Sequence, residues 1–302
     1  MGFTYRRRRA VPSAGAKPGH DPNAGRPDDV QAKRSSNGAG EGRRQRQAPP
    51  GDSRPRDGAA GRHGLARVIA KLGVASRTQA AAWVVAGRVA VNGRVRHQPE
   101  FPVRQGHDRI QIDGRTVQAV ERIHVALNKP RGLLTTAADE RGRDTVYRCL
   151  DGAGLPWLAP VGRLDKASEG LLLLSNDPEW AARITDPQTG PDKTYHVQID
   201  AIADAAMLQR LRDGVDCDGE RLAVKSVTLL RHGARNAWLE IVLDEGRNRQ
   251  IRRLLAAQGI GVLRLVRVAI GTLRLGDLPK GGWRHLAPAE ADELASRTQA
   301  PR

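Results

Sequence analysis

"VGRLDKASEGLLLLSND", residues Val161–Asp177, joins a tight polar loop to the most apolar run in the chain. The leucines follow one another without polar alternation, so the run reads as a strand buried on both faces. Asp177-Pro178 then opens a helix, "PEWAARITD", with Asp177 as N-cap and Pro178 at its first position. Asp177 therefore has a structural duty, and Asp165 has none that the sequence reveals. Asp165 is open to three roles: a local ion pair with Arg163, a metal ligand, or a group that does chemistry. No second carboxylate or histidine stands nearby at ligand spacing, so no metal is expected.

The pattern extends on both sides of this stretch. Upstream, "IHVALNKP" is strand-like and Pro130 ends it. Downstream, "KTYHVQID" is a strand with Tyr195, Val197 and Ile199 on one face. "DAAMLQRLRDG" is a short helix ending at Gly214, and "AWLEIVLDEG" is another strand. "RQIRRLLAAQG" is a helix with Ile251, Leu254 and Leu255 inward, and "VLRLVRVAIGTLRL" supplies closing strands. Strands and helices mix without a βαβ rhythm, which predicts an α+β domain with a mixed, mainly antiparallel sheet over residues 121–292. There is no Gly-rich phosphate loop and no dinucleotide fingerprint.

A smaller unit is expected over residues 62–120. Leu65, Val68, Ile69 and Leu72 fall on one helical face. Ser76 and Gln79 suit a capping box for a second helix, whose Ala80, Trp83 and Val84 would face the first. The period then changes to that of strands, around the hairpin signals Asn92-Gly93 and Asp113-Gly114. Residues 1–61 hold no Leu or Ile and carry 13 basic against 6 acidic residues, which predicts a disordered basic tail. A short C-terminal tail is expected over 293–302.

Composition limits the partners. The formal net charge is +17 in 302 residues, which favours a polyanion: nucleic acid first, an anionic membrane surface second. No stretch approaches the roughly 18–20 apolar residues of a membrane span. The start "MGFTYRRRRA" has no apolar core behind its charges, so no secretory signal is expected there. Cys149 and Cys217 stand alone, without CxxC spacing, which suits packing roles in a reducing, cytoplasmic setting.

Two resemblances sharpen this reading. "LARVIAKLGVASRTQAAAWVVAGRVAVNGRVR" resembles the S4 RNA-binding domain. The likeness implies a basic surface that docks on structured RNA, with Lys71, Arg77, Arg88 and Arg94 as contacts. Such contacts position phosphates and do not read bases. "NKPRGLLTT", "VGRLDKASEGLLLLSND", "DKTYHVQI" and "EGRNRQIRRLLAAQG" are similar, in order and spacing, to the motifs of the RsuA/RluB type of pseudouridine synthase. Ser168 stands where threonine is commonest in that family, and Ala167 where aspartate is frequent.

That second resemblance implies roles for single residues. Asp165 would be the catalytic carboxylate acting at the ribose of a target uridine. Arg163 would fill the space left by the flipped base. Tyr195 would stack on the uracil and help to deprotonate C5, and Arg252 would pair with Asp165. Leu265 would pack beneath the base, with Arg247, Arg249 and Gln250 as further substrate-binding residues. Read from the residues alone, Tyr195 also suits core packing. The arginine-rich helix start suits either a solvated face or an anion nearby. Isomerisation breaks N1–C1′ and makes C5–C1′, and a carboxylate can stabilise or trap the oxocarbenium-like ribose. No cofactor is needed. The resemblance implies a monomer acting on ribosomal RNA, that of the large subunit in particular. The alternatives are a non-enzymatic RNA-binding or ribosome-assembly protein, and a DNA glycosidase, which would need a second acid.

Overall fold

In the computed structural model, residues 61–137 and 139–296 are described. The basic tail expected over residues 1–61 lies outside them, apart from Gly61. The N-terminal part runs β1 (His63–Gly64), α1 (Leu65–Lys71), α2 (Arg77–Val85), β2 (Val89–Val91), β3 (Arg94–Arg96), β4 (Pro102–Val103), β5 (Ile110–Ile112) and β6 (Arg115–Thr116). Helical spacing brings Leu65, Val68 and Ile69 of α1 against Ala80 and Val84 of α2, above Val89 and Val91. The Ser76 hydroxyl caps α2 by accepting from the Gln79 N–H at 3.0 Å. Asn92-Gly93 has positive φ at both residues (51° and 78°), the twist that a two-residue hairpin requires.

The second part contains β7 (His124–Lys129), β8 (Ala159–Val161), β9 (Glu169–Ser175), α3 (Pro178–Thr185), β10 (Lys193–Ile199) and α4 (Ala205–Asp213). There follow β11 (Val215–Cys217), β12 (Glu220–Leu222), β13 (Ser226–His232), β14 (Ala237–Leu243), α5 (Gln250–Ala256), β15 (Val262–Ile270), β16 (Leu273–Arg274), β17 (Trp283–His285) and α6 (Pro288–Ala295). A nine-stranded sheet has the path β13-β14-β10-β15-β9-β7-β17, with β8 added to β9 and β16 to β15. Its strand pairs are antiparallel except β9 with β15. The fold is thus α+β, as the sequence predicts.

Strand β9 is buried along its whole length. Leu171 and Leu173 enter a core with Trp180 and Ile184 of α3 and Leu294 of α6. Leu172 and Leu174 enter another, with Val146, Leu158 and Leu164. Each fully buried leucine contributes about 1.5–3 kcal/mol, so this strand is a firm base for the loop before it. A third core under α4 and α5 gathers Val197, Leu239, Leu254 and Leu265.

The two parts join at the N-terminal end of α3. Lys71 pairs with Glu179 at 3.3 Å, and the Val120 N–H donates to Leu72 O at 2.9 Å. The buried Asn176 side chain accepts from the Ile123 N–H (2.8 Å) and donates to Glu121 O (2.7 Å). One boundary needs correction. Residues 293–295, expected in the C-terminal tail, belong to α6, because Leu294 is buried in the core with Trp180. Among the described residues no helix is long and apolar enough to cross a membrane.

Candidate active site

The loop between β8 and β9 is held by its backbone. Leu164 O accepts from Thr135 Oγ1 at 2.7 Å, and Asp165 O from the Ser168 N–H at 3.0 Å. Lys166 O accepts from the Gly132 N–H at 2.7 Å, and Ala167 O from Arg252 Nη2 at 3.3 Å. Ser168 O accepts from Lys129 Nζ at 2.8 Å. Every carbonyl from Leu164 to Ser168 is therefore occupied. Three of the five donor residues, Lys129, Gly132 and Thr135, come from the end of β7 and the segment that follows it.

Lys129 is the centre of this arrangement. Its ammonium is fully buried and donates to Pro130 O (3.1 Å), Asp165 O (3.2 Å) and Ser168 O (2.8 Å). Burial pushes its pKa down to about 8, against the pull of the nearby Asp165 charge. Sequence reasoning quoted "NKP" but gave Lys129 no role. A lysine closing an otherwise buried strand was the available signal.

With its backbone fixed, Asp165 turns a one-third-exposed side chain between two guanidinium groups. Arg249 Nη1 lies 3.5 Å from Oδ2, and Arg252 Nε lies 4.0 Å from it. The Arg252 Nε atom is buried and has no hydrogen-bond partner among the described residues. Burial first, then the charge of Arg249, lowers the Arg252 pKa, and Asp165 opposes both. Arg249 itself sits in the left-handed region (φ 50°) at the N-terminus of α5, a conformation uncommon for a side-chain-bearing residue.

The expected site residues divide into two groups. A cavity of about 710 Å³ is lined by Arg163, Asp165, Arg247 and Arg249, together with residues 134–136 and 139–141 and Arg143. Arg163 is exposed there, without an ion-pair partner among the described residues. Arg252 reaches Asp165 from behind the cavity wall. Arg247 lines the cavity, but its guanidinium is held by Glu245 (2.7 Å) and Glu220 (2.9 Å). Gln250, expected to touch substrate, is instead enclosed: its amide nitrogen donates to Ala223 O (3.0 Å) and Glu245 Oε1 (2.7 Å). Glu220 also holds Arg253 at 2.7 Å. The cations at the start of α5 therefore have anions beside them: Glu220, Glu245 and Asp165.

Tyr195 and Leu265 lie deeper. Tyr195 is half-buried and packs against two cores, one containing Leu164 and the other Val197 and Leu265. Its hydroxyl has no hydrogen-bond partner among the described residues. Leu265 is buried directly opposite Val197 in the β10–β15 register, so it sits diagonally from Tyr195 within the core. Neither lines the cavity. Among the described residues no three His, Cys, Asp or Glu side chains gather as a metal site.

In the N-terminal part, three of the four expected RNA contacts are already paired. Arg88 holds Asp113 and lies over the Trp83 ring at 5.3 Å, Arg77 pairs with Glu100 at 3.1 Å, and Lys71 with Glu179. Arg94, exposed at the Asn92-Gly93 hairpin, has no ion-pair partner among the described residues.

Comparison with known proteins bears on what such a site does. Residues 123–257 match the RNA pseudouridylate synthase family, and residues 64–110 match the S4 domain. Ribosomal large subunit pseudouridine synthase B of Bacillus subtilis is 35% identical over 233 residues, covering 76% of this chain and 94% of the relative. Its namesake in Escherichia coli K12 is 35% identical over 244 residues, covering 78% of this chain and 84% of the relative. A crystal structure of a pseudouridylate synthase superposes with a TM-score of 0.54 at 29% identity, covering 77% of this chain and 99% of that one. On these relatives, matched over most of their length, the chain belongs to the RNA pseudouridylate synthases, enzymes that isomerise uridine within RNA.

Proposed function

We propose that the protein converts specific uridines of large-subunit ribosomal RNA to pseudouridine, with Asp165 as the catalytic carboxylate. One observation carries this reading. Asp165 is fixed through its backbone, yet its carboxylate accepts no close hydrogen bond from the described residues and faces the cavity between Arg249 and Arg252. Asp139, also on the wall, is by contrast fully engaged by Arg143 and by backbone N–H groups.

The chemistry follows from that placement. The target nucleotide leaves its stack, at a cost of a few kcal/mol, and enters the cavity. Arg163, exposed and without an ion-pair partner among the described residues, takes up the space the base leaves. As the N1–C1′ bond breaks, positive charge grows on the ribose, and the Asp165 carboxylate stabilises or captures it. The detached uracil turns within the pocket and C5 bonds to C1′. The C5 proton is then lost and N1 gains one, so no external nucleophile or cofactor takes part. Arg252 and Arg249 stand beside the Asp165 carboxylate as its counter-charges. Tyr195 and Leu265 lie beneath the cavity rather than on its wall, so in this scheme the uracil passes deeper to reach them; there Tyr195 stacks on it and assists removal of the C5 proton, and Leu265 supports the base from below.

The S4-like part and the N-terminal basic segment supply phosphate contacts. The protein acts as a cytoplasmic monomer in this scheme. The test is tritium release from ribosomal RNA labelled at C5 of uridine. Wild-type protein releases tritium, and Asp165→Asn reduces the rate at least a thousandfold. Release that survives this substitution would falsify the assignment. Mapping pseudouridines in ribosomal RNA with and without the gene identifies the target nucleotide, and an unchanged large-subunit map would overturn the choice of RNA.

A further inference from the structure

The cavity has a wall that the chemistry above does not use. It is formed by residues 134–136 and by Asp139, Glu140, Arg141 and Arg143, and its root is tied to the loop that carries Asp165. The Leu134 N–H donates to Asp144 O at 3.0 Å, the Val146 N–H to Leu134 O at 2.9 Å, and Thr135 Oγ1 to Leu164 O at 2.7 Å. Wall and catalytic loop are therefore held in one frame.

Asp139 gives the wall its shape. Its Oδ2 accepts from the backbone N–H groups of Arg141 (3.1 Å) and Arg143 (3.0 Å) and from Arg143 Nε (3.1 Å). Its Oδ1 accepts from Arg143 Nη2 at 2.7 Å, and the Gly142 N–H donates back to Asp139 O at 3.1 Å. The bidentate Arg143 and these N–H groups hold the Asp139 carboxyl down at about 2, so the clamp stays ionised at any working pH. Arg143 is neutralised by the same contacts. Arg141, between the two clamp residues, is exposed on the cavity wall and has no carboxylate partner among the described residues.

A turn built this firmly presents Arg141, the cation of this wall left outside the clamp, beside the exposed Glu140, and an arginine so fixed suits the recognition of an anion held in one place. The base of the target nucleotide occupies the cavity, so its flanking phosphates must pass the mouth. A guanidinium group matches a phosphate through two parallel hydrogen bonds. We propose that Arg141 binds a phosphate flanking the flipped uridine, and that Asp139 is the positioning residue that presents it. This inference rests on the reading of the cavity as the uridine site.

Full-length wild-type and variant proteins are compared in binding to an in vitro transcript of large-subunit ribosomal RNA between 50 and 200 mM salt. Loss of one phosphate contact lowers the slope of log K against log salt by about 0.7–0.9. Arg141→Ala should show that loss, with KM raised about tenfold and kcat within twofold of wild type. Arg235→Ala serves as the control: it removes an exposed arginine at the other end of β14 from Gly246–Arg249, and the slope should not change. Asp139→Asn separates positioning from bulk charge. It makes the protein one charge more positive, so simple attraction predicts tighter binding, whereas loss of the clamp predicts a KM raised at least threefold. An Arg141→Ala protein with the slope and KM of the Arg235→Ala protein would overturn the phosphate assignment. Tighter binding by Asp139→Asn would overturn its positioning role. Absence of tritium release by wild-type protein would be a separate failure, that of the uridine reading, because the salt slope is read from binding alone.

Discussion

Lys129 shows how much one side chain contributes to this site. Three carbonyls, one of them that of Asp165, depend on its ammonium. Replacement by methionine keeps the length of the side chain but takes the ammonium from Pro130 O and Ser168 O and leaves Asp165 O with the Ser168 N–H alone. Each acceptor left without a donor costs about 1–3 kcal/mol, so Lys129→Met should lose about 2 kcal/mol or more in a urea titration at pH 7. A loss below 1 kcal/mol would show that water replaces the ammonium readily. The depressed pKa makes a second prediction. The folded value is about 8 and the unfolded value 10.5, so between them the unfolded chain holds a proton that the folded chain has released. Stability at this group therefore rises with pH across that window and is lowest below pH 8, where the buried charge must be kept. Turnover should move the other way. Above pH 8 the amine has two donors for three carbonyls, so kcat falls as the Asp165 loop loosens. Denaturation and single-turnover rates measured from pH 7 to 10 check both, and parallel pH trends would refute the account. That Asp165 had no capping duty was legible in the sequence, because Asp177 explained itself as a cap, and the fold places Asp165 on the cavity wall. The duties of Lys129 and of Glu220 were not legible, because they depend on partners 27 to 39 residues away that only the fold brings together.

Secondary-structure elements transmit this rigidity to the site. Strand β9 joins β15 by a short parallel bridge, with Gly170 opposite Arg267. Gly170 has φ 102°, and a Cβ there would lie 2.8 Å from Arg267 N and closer still to its carbonyl oxygen. Gly170→Ala should therefore part the two strands at the point where the Asp165 loop enters the sheet. A destabilisation of about 3 kcal/mol or more is expected, with loss of tritium release. A stable, active Gly170→Ala protein would show that the bridge is not needed. The leucine run of β9 was readable because burial on both faces removes alternation altogether. Strand β13 was not, since it lies at the sheet edge, its Leu229 and Leu230 are exposed, and a bulge between Leu229 and Arg231 breaks its period. Helix α6 was missed for a related reason: "PAEADELA" buries only Ala291 and Leu294, too few positions to mark a helical face.

At the scale of the whole molecule, electrostatics decides how RNA is held. Part of the positive charge counted in the sequence is already neutralised within the fold. Arg88, Arg77 and Lys71 are paired with Asp113, Glu100 and Glu179, while Arg94, exposed at its hairpin, has no ion-pair partner among the described residues. Exposed pairs of this kind are worth at most about 1 kcal/mol, so a phosphate can displace them, but each displacement reduces the gain. Arg94→Ala should thus weaken binding to ribosomal RNA more than Arg77→Ala does, measured side by side at 100 mM salt. Equal losses would mean that pairing does not rank these residues. The segment before residue 61 carries 13 basic and 6 acidic residues and is the other large source of charge. If its cations release counterions on binding, deleting residues 1–60 should lower affinity and flatten the salt dependence by several units of slope, well beyond the single-contact change from Arg94→Ala. The truncated protein should still release tritium from saturating RNA, because Lys129, Asp165 and Arg252 all lie in the part that remains. An unchanged salt slope after truncation would place the whole electrostatic grip on residues 61–296.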